Sequence, residues 1–173
     1  MQKIKWAQKD MPEMHVNNRN GVTYLTYPEL EKLSDFVHCF STRLGGVSEG
    51  IYSSMNLSFT RGDDEEAVRE NYRRLADAVG FEMESIVTSD QTHTSNVIRV
   101  TEEDRGNGIT KPRPYTDVDG MITDVPGLVL ATFYADCVPL YFIDPVHKAI
   151  GLSHSGWRGT AARSGEVTVN KMS

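Results

Sequence analysis

Apolar residues recur every three or four positions at Val68, Tyr72, Leu75, Ala76 and Val79, after the acidic run Asp63-Asp64-Glu65-Glu66 and before Gly80. That period places them on one face of a helix. The acids suit the positive end of its dipole, and the glycine supplies a stop. The pattern therefore predicts a helix between Gly62 and Gly80. Elsewhere the apolar runs are short and rich in β-branched and aromatic residues, at 22–27, 36–40, 85–88, 96–100, 128–134, 138–143 and 148–154. Runs of that length predict strands. Asp144-Pro145-Val146-His147 reads as a turn joining the last two into an antiparallel hairpin, which would bring the start of one strand beside the end of the other. Charges, glycines and prolines make 102–115 an exposed loop, and 160–173 reads as a helix after a turn at Gly159. The elements add up to an α+β fold, a mixed and mainly antiparallel sheet flanked by helices, in one domain spanning 1–173.

Composition narrows the class of partner. A chain of 173 residues with 39% apolar content can bury a core. Eighteen basic against 24 acidic residues give a net charge of −6, which disfavours a nucleic-acid partner held by phosphate contacts. A small-molecule substrate is expected instead. Residues 1–10 hold no apolar run long enough for a signal peptide, and no window approaches a membrane span. The expected compartment is the cytoplasm, where Cys39 and Cys137 would stay reduced rather than pair. Cys39, inside the apolar run 36–40, reads as a core thiol.

Three ligand-type side chains sit in separate polar motifs: His93 in Ser89-Asp90-Gln91-Thr92-His93, Cys137 in Ala135-Asp136-Cys137, and His154 in His154-Ser155-Gly156-Trp157-Arg158-Gly159. Two imidazoles and a thiolate make a zinc set one ligand short, and an open position marks catalytic rather than structural zinc. Two other readings use the same residues. Asp90 or Asp117 could close the set into a structural site of an interaction module. Alternatively Cys137 and His154 could act as nucleophile and base beside Asp136, as in a cysteine hydrolase or amidase. Bound metal would consume the thiolate and exclude that second mechanism.

The segments Phe40-Ser41-Thr42-Arg43-Leu44-Gly45-Gly46-Val47-Ser48, Asp90-Gln91-Thr92-His93, Thr116-Asp117-Val118-Asp119-Gly120, Ala135-Asp136-Cys137-Val138-Pro139 and His154-Ser155-Gly156-Trp157-Arg158-Gly159 occur in this order. In this they resemble the YfiH/YlmD family, also called laccase-domain or purine nucleoside phosphorylase-like proteins. The resemblance implies zinc at His93, Cys137 and His154. It also implies action on purine nucleosides, by phosphorolysis with phosphate as co-substrate or by adenosine deamination. Some members of the family were first described as copper-dependent polyphenol oxidases. Copper, Cu²⁺, is thus the alternative ion, although five histidines and one candidate cysteine cannot build the usual multi-copper set.

On that reading Cys137, His154 and Asp136 are the catalytic candidates, with Asp136 orienting a ligand histidine, carrying a proton, or simply capping a turn. Arg43 and Arg158 are the candidates for a phosphate clamp, since guanidinium offers fixed bidentate donors, and amides of the Gly45-Gly46 turn could add to it. Trp157 would stack on a base or pack beneath its loop. Family members usually continue well past the Gly-Trp-Arg-Gly motif, so the resemblance also implies that the C-terminal part of the pattern is missing here.

Overall fold

Asn20 and Gly21 both take positive φ, 52° and 83°, and this is the turn a two-residue hairpin requires. They join β1 (His15–Arg19) to β2 (Val22–Thr26), which pair antiparallel with His15 opposite Thr26. The computed structural model describes residues 14–173, so the stretch 1–10 read above lies outside the described residues. Strand β1 is polar and mostly exposed, so no apolar pattern announces it. After the short helix α1 (Pro28–Glu31) comes β3 (Phe40–Ser41), paired antiparallel with β2. The strand expected over 36–40 is reduced to this pair, because only Tyr24 and Leu25 of β2 offer it partners.

The predicted helix is α2 (Glu65–Val79). Asp64 caps its start by accepting the Ala67 N–H at 2.9 Å, and Gly80 ends it in the left-handed region at φ 98°. Its inward face carries Val68, Asn71, Tyr72, Leu75, Ala76 and Ala78. Leu75 and Ala78 join Val22, Tyr24 and Met55 in a core, against which Cys39 and Val79 pack. These elements make the first of two compact units, which ends at Glu82.

The second unit runs from Met83 to Ser173 and holds β4 (Ile86–Thr88), β5 (Val97–Arg99), β6 (Gly120–Thr123), β7 (Val129–Ala131), β8 (Val138–Asp144), β9 (Ala149–Ser155), α3 (Trp157–Ala161) and α4 (Ser164–Met172). Strands β5-β6-β9-β8 form one sheet, with β5 and β6 parallel and the other pairs antiparallel, while β4 and β7 pair parallel. The fold is thus α+β with mainly antiparallel pairing, divided among small sheets rather than gathered in one. Val87, Val100, Val118, Met121, Leu128, Leu130 and Leu152 fill its core. Burying each such side chain stabilises by roughly 1.5–3 kcal/mol, which fixes β6 and β9 side by side. The predicted hairpin is present: Asp144 Oδ1 accepts the N–H groups of Val146 and His147, and Val138 lies opposite Ser155. The helix expected over 160–173 is broken in two, because Arg163 takes φ 55° between α3 and α4. Among the described residues no helix is long and apolar enough to cross a membrane.

Candidate metal centre

His154 sits on β9 opposite Pro139 of β8, so Cys137, two residues earlier, comes to the same end of the hairpin. His93 reaches this end from the loop between β4 and β5. One ligand atom from each of His93, Cys137 and His154 lies within 4.8 Å of the other two. The rings of the histidines meet edge-on, with centroids 4.9 Å apart and planes at 80°. His154 is 3% exposed and forms the floor; Cys137 is half-buried and His93 exposed, so the group faces solvent on one side.

The buried carboxylate that organises this group belongs to Asp119, immediately before β6 and 1% exposed. Its Oδ1 lies 2.7 Å from Nδ1 of His154. A carboxylate can only accept, so in the neutral ring Nδ1 carries the proton and Nε2 keeps a lone pair for a ligand. The same carboxylate accepts three successive backbone N–H groups, Thr92 at 3.0 Å, His93 at 3.0 Å and Thr94 at 2.9 Å, and the Thr94 hydroxyl at 3.1 Å. Burial pushes the Asp119 carboxyl up, but the bonds from the Thr94 N–H, His154, the Thr92 N–H and the Thr94 hydroxyl outweigh it and hold it below the ordinary carboxylate range. His93 itself sits at φ 69°, a conformation that costs a non-glycine residue about 1 kcal/mol or more, and its N–H bond to Asp119 holds it there.

A second brace is Gln91. Its Nε2 donates to the Phe133 carbonyl at 2.7 Å and its Oε1 accepts the Phe133 N–H at 2.7 Å, as a paired strand would. This ties the loop carrying His93 to the segment leading into Cys137. Gly156 completes the site by leaving room. Its φ of −78° suits any residue, but a Cβ there would lie 3.0 Å from both Cys137 Sγ and His93 Cδ2 and 3.8 Å from His154 Cε1.

The remaining candidates differ in their partners. Asp136 is exposed and borders the Cys137 thiol, which burial first and the Asp136 charge second push above its ordinary value. The carboxylate on His154 is that of Asp119, the place the sequence reading offered to Asp136. Asp90 accepts from Arg113 at 2.9 Å and from the Asp117 N–H at 3.2 Å, and Asp117 accepts the Thr92 hydroxyl. Neither joins the ligand group. Arg158 is exposed on α3, 5.3 Å from the Trp157 ring, and Trp157 is 75% exposed rather than packed beneath its loop.

Arg43 belongs to the first unit, where Nε and Nη2 donate to the Ser53 carbonyl and Nη2 also to that of Ile51. In the adjoining turn the Gly46 N–H donates to Ser54 Oγ and the Val47 N–H to Asn71 Oδ1. Both cysteines are free thiols. The other three histidines are engaged locally, His15 with Glu31, His38 with the Tyr27 N–H and His147 with Asp144.

The sequence motifs carry all three candidate ligands. Asp119, Gln91 and Gly156 lie inside the same motifs, with no pattern of their own to mark them.

A soft thiolate, two imidazoles, an oriented lone pair and a gap kept open by glycine suit a borderline ion such as zinc or copper. Comparison with known proteins agrees with a metal-site family. The family model described as multi-copper polyphenol oxidoreductase laccase matches residues 37–173. The chain is 43% identical over 122 residues to purine nucleoside phosphorylase YlmD of Geobacillus stearothermophilus, covering 70% of this chain and 44% of that protein. It is 42% identical over 140 residues to purine nucleoside phosphorylase LACC1 of Homo sapiens, covering 79% of this chain and 30% of that one. Among solved structures, YlmD from Geobacillus stearothermophilus matches with TM-score 0.72 and 38% identity over 84% of this chain and 53% of that chain. The Bacillus licheniformis hypothetical protein YfiH matches with TM-score 0.67 and 35% identity, covering 89% and 53%. The chain spans about half the length or less of these relatives. By sequence and by fold, it belongs to the laccase-domain family of YfiH and YlmD.

Proposed function

We propose that this chain carries a zinc centre for purine nucleoside phosphorolysis, with His93, Cys137 and His154 as the ligands. The observation that carries the reading is their convergence within 4.8 Å around a histidine whose lone pair is directed by Asp119. Relatives named purine nucleoside phosphorylase supply the substrate class. When bound, zinc supplies a Lewis acid that can polarise an oxygen at its open position.

The chain's own residues do the rest. Phosphorolysis joins a phosphate oxygen to the ribose C1′ as the purine leaves and takes a proton. Arg158, exposed on α3 two residues after Gly156, is the residue assigned to hold the phosphate as a bidentate donor. The exposed Trp157 ring offers a stacking face to the base. Arg43, with its guanidinium committed to two backbone carbonyls, serves as a staple of its own loop. A cysteine hydrolase needs one imidazole beside its thiol, and the second imidazole brought edge-on to the first favours a metal. A multi-copper cluster is disfavoured because, among the described residues, the ligand group gathers only two histidines.

The test is release of free base from adenosine and inosine by the zinc-loaded chain, with and without phosphate, with ammonia followed in parallel. Phosphate-dependent release supports the assignment. Ammonia from adenosine without base release would replace it with deamination, and zinc binding with neither product would remove the activity from this chain.

A further inference from the structure

We infer that Asp119 is the positioning residue of the centre, setting both the tautomer of His154 and the turn that presents His93. This rests on the metal-centre reading above and extends it to a residue that touches neither substrate nor metal. Two ligands from distant parts of the chain depend on one carboxylate: Oδ1 takes His154 Nδ1 at 2.7 Å and the His93 N–H at 3.0 Å. Oδ2 takes the Thr92 and Thr94 N–H groups and the Thr94 hydroxyl. Every one of these partners donates, so both oxygens must be acceptors. An ionised carboxylate meets that demand and an amide does not.

Asp119→Asn keeps the size and replaces one acceptor by a donor. If the amide nitrogen takes the Oδ1 place, it faces His154 Nδ1, which must lose its proton. The proton then moves to Nε2 and covers the lone pair that would bind metal. If the nitrogen takes the Oδ2 place, it opposes the Thr92 and Thr94 N–H groups, and the turn holding His93 at φ 69° keeps only the His93 N–H bond to Oδ1. The first orientation also takes the acceptor from the His93 N–H, so it strikes both histidines, whereas the second loosens the turn of His93 alone; Cys137 is left in place in both.

The experiment compares wild type with Asp119→Asn in three readouts: zinc affinity by competition with a chromogenic chelator, thermal unfolding, and the His154 tautomer by ¹⁵N NMR on the metal-free chain. Wild type is expected to show the Nδ1–H tautomer. The variant is expected to remain folded and to lose about tenfold or more in zinc affinity. It should also show either the Nε2–H tautomer at His154 or displaced His93 resonances.

An Nε2–H tautomer in metal-free wild type would overturn the inference without any variant, so a variant that failed to fold would not leave it untested. Asp119→Asn binding zinc within twofold of wild type would overturn it equally. Should wild type bind no zinc while its His154 is Nδ1–H, the metal-centre reading fails and the role of Asp119 in fixing the tautomer stands.

Discussion

Asp119 and His154 are joined twice: the His154 backbone N–H donates to the Asp119 carbonyl at 2.7 Å, and the His154 ring Nδ1 lies 2.7 Å from the Asp119 carboxylate. The β6–β9 ladder therefore continues one residue past its end through a backbone bond, and the side chains add a second. Core packing behind Met121 and Leu152 holds these strands in register, and the register delivers the imidazole to its carboxylate. The path from apolar pattern to candidate chemistry runs through this pair.

The space at Gly156 is predicted to be as necessary as the ligands. A Cβ at 3.0 Å from Cys137 Sγ and His93 Cδ2 is tighter than ordinary contact, and the larger branches of valine would enter the site itself. Gly156→Val should abolish stoichiometric zinc binding while the secondary structure is kept, read by metal analysis and circular dichroism. Zinc retained at the wild-type level would show that the glycine is not there to make room.

Gln91 is predicted to set the spacing between His93 and Cys137. Gln91→Leu preserves volume but removes both bonds to the Phe133 backbone and the bond from Ser89. Bonds of this kind contribute about 0.5–1.5 kcal/mol each, and exposure puts these three at the low end, so a loss of about 1.5 kcal/mol on chemical denaturation is expected. Zinc affinity should fall several-fold alongside. An unchanged affinity would mean that the loop before Cys137 is held by other contacts.

The helix α2 and the hairpin β8–β9 were legible in the sequence because each is encoded by a local repeat, apolar positions at helical spacing in one and paired β-rich runs about a turn in the other. Strand β1 was not, since His-Val-Asn-Asn-Arg has no apolar face and is specified by the Asn20-Gly21 turn and by pairing with β2. The three candidate ligands were legible as residue types in distinctive motifs. Asp119 was not, because its role depends on which strand β6 pairs with, and that is a long-range fact. Asp136, adjacent to the thiol in sequence, borders it in the fold as well, while the carboxylate on His154 comes from Asp119.

The two thiols are predicted to differ sharply in reactivity. Burial pushes the Cys39 thiol up to about 12, which leaves roughly one part in ten thousand as thiolate at pH 8. Both thiols are half-buried by surface exposure and both are raised, but Cys39 packs against the core of the first unit whereas Cys137 lies at the open side of the ligand group. Iodoacetamide should modify Cys137 in the metal-free chain, spare Cys39 until the chain unfolds, and be blocked at Cys137 by zinc. Equal rates at both thiols in the native chain would contradict this account.

The two arginines are predicted to separate. Arg158→Ala should raise the phosphate concentration needed for half-maximal base release, with zinc content unchanged. Arg43→Ala should instead lower stability by about 1 kcal/mol, at the low end for charged hydrogen bonds because the side chain is exposed, with phosphate saturation unaffected. The reverse pattern would return the phosphate role to Arg43.

The most direct test of the central claim is the zinc content of the purified chain alongside Cys137→Ala, His154→Ala and His147→Ala. The account predicts about one zinc per chain in wild type and in His147→Ala, and loss of that zinc in the other two. Full zinc in Cys137→Ala would contradict it.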